Sequence, residues 1–101
     1  MFEKTTAKGL NSLIYANGAS KDDLTVHISE IGPGTRAHPP HVHQGTECFL
    51  ALEGKGRVEM EGENIELSAG EAVILDASVE HGFVNIGDSN LKYVVIIAPR
   101  S

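Results

Sequence analysis

The chain has 101 residues and a formal net charge of -6, with eight lysines and arginines spread singly along it. That length suits one domain, and a hydrophobic content of 41% argues against disorder. No basic stretch follows a phosphate backbone, which excludes nucleic acid as an expected partner. The apolar runs are too short to span a membrane and no apolar signal core opens the chain, so a cytoplasmic protein is expected.

Residues 1–20 carry weak signals. Their "SLIYA" stretch reads as an edge strand or as an arm that pairs with a second subunit. Residues 21–101 read as a single β-domain. In "LTVHIS", Leu24, Val26 and Ile28 alternate onto one face and His27 falls on the other. "ECFLALEGKGRVEM" reads as two strands joined by a hairpin turn at 53–56, and "GRVEMEGENIEL" as a second hairpin near Gly62 that sets Val58 and Met60 against Ile65 and Leu67. Glu59, Glu61, Glu63 and Glu66 alternate with apolar residues there, the pattern of a solvated strand face. "AVILD", "HGFVNI" and "KYVVIIA" complete a series of eight or nine short strands without a helical stretch. The class is all-β, a sandwich or barrel. Cys48 stands alone, so no internal disulfide forms and no cysteine-based zinc site exists; it reads as a small packed apolar residue.

The segment "HPPHVHQGTE" concentrates polar donors. In extended backbone, residues two apart share a face, so His41 and His43 project side by side. Gly45 permits a turn or bulge, after which Glu47 begins the next strand facing the same interior, followed by Phe49 and Ala51. His81 in "HGFVN" offers a further donor from a late strand. Burying several ionisable groups together is costly without a cation, and a divalent ion resolves the conflict by taking their lone pairs.

Together these residues resemble the cupin superfamily, small antiparallel β-barrels of jelly-roll type. The first cupin motif is matched by Gly34, His41, His43, Glu47 and Gly54, the second by Gly70, His81 and Asn85. One additional residue separates Gly34 from His41, within a loop that carries Pro39 and Pro40. The proline and glycine usual in the second motif are replaced by Asp76 and Ser78, which support a turn through side-chain to backbone bonds. The resemblance spans about half the chain. It implies that His41, His43, Glu47 and His81 bind one divalent ion inside the barrel. The donor set suits Fe, Mn, Ni or Zn.

Around this centre, His38, Phe49, Met60 and Phe83 are the candidate substrate-pocket residues, and Arg36 stands in the loop before the metal segment. No catalytic residue beyond the ligands is assigned. The family resemblance allows dioxygenases, isomerases, lyases and hydrolases acting on small oxygenated molecules, and a metal-dependent enzyme is the favoured expectation. The alternative is a non-catalytic module that binds a metal and a small molecule, and a purely structural ion is the third reading. A small core and an apolar "YVVIIA" predict a homodimer.

Overall fold

The computed structural model describes residues 1, 3–6, 13–19, 23–37 and 39–99; His38 lies outside them. Nine strands occur among these residues: β1 (Glu3–Thr6), β2 (Leu13–Ala16), β3 (Thr25–Ile31), β4 (Thr46–Glu53), β5 (Lys55–Met60), β6 (Glu63–Ser68), β7 (Ala72–Asp76), β8 (His81–Asn85) and β9 (Leu91–Ala98). All pairings are antiparallel and no helix is present among the described residues, so the fold is the expected all-β jelly-roll. In particular, no helix is long and apolar enough to cross a membrane.

Strands β1 and β2 pair with each other. The remaining strands form a four-stranded sheet of order β3-β9-β4-β7 and a three-stranded sheet of order β6-β5-β8. The core lies between these two sheets. Phe49 from β4 stacks on Phe83 from β8, ring centroids 4.6 Å apart, and Tyr93 from β9 meets Phe83 edge-on at 4.9 Å. Val58, Leu67, Leu75 and Leu91 close around these rings. Each such buried aromatic or aliphatic side chain contributes about 1.5–3 kcal/mol by leaving water.

The expected hairpin between β4 and β5 does not form. Strand β4 pairs with β9 and β7, whereas β5 pairs with β6 and β8, so the chain crosses between sheets at residue 54. Only glycine suits this corner. Its φ is +88°, and a Cβ there would lie 2.5 Å from the carbonyl oxygen of Asn90. The β5–β6 hairpin does form, with Val58 opposite Ile65; Leu67 faces Gly56 and Met60 faces Glu63.

The two sheets have opposite exteriors. On the three-stranded sheet, Arg57 lies opposite Glu66, and Glu59 accepts hydrogen bonds from Arg36 and Arg57. On the four-stranded sheet, one outward row runs Val26–Ile96–Cys48–Ile74 across all four strands. The next row runs Ile28–Val94–Leu50–Ala72. Strand β3 thus turns its apolar face outward. Its alternate residues Thr25, His27 and Ser29 line an internal cavity.

Candidate metal centre

Glu47 is the second residue of β4 and is placed by the turn before it. Gly45 has a φ of +110°, and a Cβ on it would meet the backbone of β9 at Ala98 O, so the loop passes flush against that strand. This close passage delivers Glu47 opposite Ile97 and Leu75, with its side chain directed between the sheets and 2% exposed. His41 and His43 precede the strand. Reciprocal backbone hydrogen bonds between His41 and His81, both 3.0 Å, and one from His43 N to Ala77 O hold this segment extended, so the period-two geometry applies outside a continuous strand.

His81 opens β8 and is fully buried. The turn before it forms as Asp76 and Ser78 predict: Asp76 Oδ1 accepts from the Ser78 amide at 3.0 Å and from its hydroxyl at 2.7 Å. That turn presents the carbonyl of Val79 to the imidazole. His81 Nδ1–H donates to Val79 O at 2.8 Å, so in the neutral ring Nε2 is the acceptor nitrogen, turned toward the other donors.

The four donors converge. One ligand atom from each of His41, His43, Glu47 and His81 lies within 4.8 Å of every other. His43 Nε2 lies 2.6 Å from Glu47 Oε1, and His81 Nε2 lies 3.5 Å from the same oxygen. The three imidazoles surround the carboxylate, with ring centroids 4.8–5.2 Å apart. His81 Nε2 is buried and has no hydrogen-bond partner. A native fold rarely leaves such a buried nitrogen orphaned. The donor set therefore fits a divalent cation held by nitrogen and oxygen, with the His81 ring oriented from behind by the Val79 carbonyl. Burial decreases from His81 and Glu47 through His43 to the exposed His41, which puts the opening of the site on the His41 side.

A cavity of about 400 Å³ adjoins the group. His41, His43 and Glu47 line one end; Phe49, Val95 and Ile97 form an apolar floor; Thr25, His27, Ser29 and Tyr93 supply polar atoms. Tyr93 bonds Ser29, and burial pushes its hydroxyl above the usual phenol range, so it stays protonated. Of the candidate pocket residues, Phe49 lines the cavity, Phe83 sits behind it in the core, Met60 packs against the core from its edge, and His38 lies outside the described residues. The sequence leaves open which way His27 faces, and the structure turns it to the cavity; Thr25, Ser29 and Tyr93 are not among the residues the sequence singles out. For Tyr93 the signal was a hydroxyl in phase with Val95 and Ile97 in an otherwise apolar run. Arg36 is not among the residues that line the cavity, and it is not a free cation. Its guanidinium binds Glu59 at 2.5 Å and holds that carboxyl below its ordinary range.

Asn85, the last residue of the second motif, is structural here. Its side-chain amide donates to Ile31 O and Ser89 O and accepts from Gly87 N, tying β8 to the end of β3 and to the following turn.

A family profile described as a cupin domain matches residues 27–97. The chain belongs to the cupin family. Among curated proteins, this cupin is 36% identical over 89% of its length to the dimethylsulfoniopropionate lyase DddW of Ruegeria pomeroyi, of which it covers 58%. It is 27% identical over 78% of its length to the HTH-type transcriptional regulator PuuR of Escherichia coli, covering 43% of that protein. The chain thus spans about half the length of these two relatives. Among solved structures, TT1209 from Thermus thermophilus superposes with a TM-score of 0.72 at 28% identity, covering 82% of this chain and 79% of that one.

Proposed function

We propose that His41, His43, Glu47 and His81 hold one divalent ion of Fe, Mn, Ni or Zn, and that this cupin is a metal-dependent enzyme acting on a small oxygenated molecule in the adjoining cavity. The carrying observation is the buried, unpartnered Nε2 of His81 directed into a ring of donors at the end of that cavity. When bound, such a cation supplies Lewis acidity to a substrate oxygen and leaves coordination positions open for it. The rest is done by the chain. Glu47 brings negative charge to the buried end, Phe49, Val95 and Ile97 exclude water, and the protonated Tyr93 hydroxyl and Ser29 orient polar atoms of the ligand.

Dioxygenase, isomerase, lyase and hydrolase chemistry all suit this arrangement. The likeness to a dimethylsulfoniopropionate lyase supports testing that compound first. On this reading the chain works in the cytoplasm as a homodimer without nucleic acid, with residues 1–20 as an arm and 21–101 as the barrel. The likeness to PuuR supports a second reading, in which the barrel binds a metal and a small molecule without turnover.

The test is a small-molecule panel, dimethylsulfoniopropionate included, assayed with the metal-loaded protein and with its Glu47→Gln and His81→Ala variants. Metal-dependent turnover that both variants lose supports the enzyme. Tight binding of a panel compound without any turnover replaces it with the binding module.

A further inference from the structure

The inner face of the four-stranded sheet is graded in polarity along the cavity. Three rows cross β3, β9 and β4: Thr25–Ile97–Glu47, His27–Val95–Phe49 and Ser29–Tyr93–Ala51. The first holds the Glu47 carboxylate of the donor group. The second is apolar except for His27 on the edge strand, and the third carries two hydroxyls. Alternate residues of a strand lie about 6.8 Å apart, so about 14 Å of wall separates the first row from the third. Ser29 and Tyr93 hydrogen-bond each other within the third row. Such a pair uses one of its two hydrogens and still offers the other, with lone pairs on both oxygens. Tyr93 is 3% exposed, so a ligand group meets this pair away from water. Among the described residues no lysine or arginine lines the cavity, and its one carboxylate, Glu47, belongs to the donor group.

We propose that the cavity takes a monoanion with an apolar middle and a neutral hydrogen-bonding far end, which Ser29 and Tyr93 read with His27 beside them. This rests on the metal-enzyme reading and adds to it the class of substrate. The anionic end belongs at the donor group, where the charge of a divalent ion exceeds that of Glu47 by one. The middle lies over Phe49 and Val95. At the far end the hydroxyl pair both donates and accepts, which suits an alcohol, a carbonyl or an amide. A second carboxylate or a phosphate there would be desolvated with no cation to pair it, and an ammonium with no free carboxylate. A terminal methyl would leave the remaining hydroxyl hydrogen buried and unmet. The class is therefore hydroxy- and oxo-monocarboxylates, and it leaves out dicarboxylates and phosphate esters. His27 is the one lining group outside the donor set that can turn cationic, so the test includes a second carboxylate.

The experiment is calorimetric titration of the chain, incubated with Zn(II), with four six-carbon probes that differ only at the far end. They are 6-hydroxyhexanoate, hexanoate, 6-aminohexanoate and adipate, and bound zinc is measured beside each titration. The expected order puts 6-hydroxyhexanoate first, about tenfold tighter than hexanoate, with adipate and 6-aminohexanoate weaker than both. Ser29→Ala combined with Tyr93→Phe should bring 6-hydroxyhexanoate to within about twofold of hexanoate without weakening hexanoate itself. Tyr93→Phe keeps the ring against Phe83, and circular dichroism confirms the fold. Zinc-loaded protein that binds hexanoate as tightly as 6-hydroxyhexanoate, or binds no probe, overturns the proposal and leaves the metal centre standing. Adipate or 6-aminohexanoate as the tightest probe overturns it too, the former by making His27 a cation. A wild-type order kept by the double variant removes Ser29 and Tyr93 as the readers. A chain that takes up no zinc yet keeps the order supports the hydroxyl wall and overturns the metal-enzyme reading instead.

Discussion

Gly45→Ala isolates the backbone feature that sets the position of Glu47. At a φ of +110° an alanine pays for a left-handed conformation, about 1–3 kcal/mol. The added Cβ would also lie 2.3 Å from Ala98 O and 2.9 Å from Pro99 Cα, and neither backbone atom can rotate away. Relief requires the end of β9 to move off β4, where Ala98 pairs with Thr46 and Ile97 with Glu47. Losing one or two of those ladder hydrogen bonds costs about 1 kcal/mol each. The total is about 2–5 kcal/mol, a large part of the 5–15 kcal/mol that holds a typical domain folded. Gly62→Ala is the matched control, because its φ is +74° and nothing lies within 4 Å of the added Cβ. It should cost only about 1–2 kcal/mol. Urea denaturation of both variants measures the difference, expected near 2 kcal/mol, and metal titration of the folded Gly45→Ala protein should show weakened affinity. Equal losses for the two glycines, with metal affinity intact, would refute the argument that close passage against β9 positions the carboxylate.

Phe49→Ala should lose about 3–5 kcal/mol in denaturant melts, since Phe49 is 1% exposed and stacked on Phe83; a loss below 1 kcal/mol would mean that the core closes over the gap. Asn85→Asp should be more destabilising than Asn85→Ala, because it turns a donor facing two carbonyl oxygens into a buried acceptor beside them, and thermal melts of the pair settle the order. The Arg36 hydrogen bond, with a smaller contribution from Arg57, depresses the Glu59 carboxyl. Its contribution to stability is therefore present above the ordinary carboxylate range and fades as pH falls through the lowered value. Glu59→Gln should flatten that acid limb in pH-dependent melts and leave the neutral-to-alkaline profile parallel to wild type.

Much of the site was legible because it depends on short-range rules. The spacing of His41, His43 and Glu47 needs only an extended segment and a turn at Gly45, and Asp76 with Ser78 encodes the turn that leads into His81 locally. The crossover at Gly54 was not legible, because hairpin and sheet-crossing corners share the same glycine-rich signal and differ only in which distant strands pair. The faces of β3 were ambiguous for another reason. Alternation separates Val26 and Ile28 from Thr25, His27 and Ser29, but a strand beside a polar cavity can bury either set. Phe83 and Met60 show the same limit, since side chains that fill a core and side chains that line a pocket have the same size and polarity.

The central claim is a mononuclear centre built from His41, His43, Glu47 and His81, and elemental analysis of the purified protein beside its Glu47→Gln and His81→Ala variants tests it most directly. The account predicts close to one divalent transition ion per chain in the wild type after exhaustive dialysis, and loss of most of it in both variants while they remain folded. Equal metal content in all three proteins, or none in the wild type even after incubation with Fe, Mn, Ni and Zn salts, would contradict it.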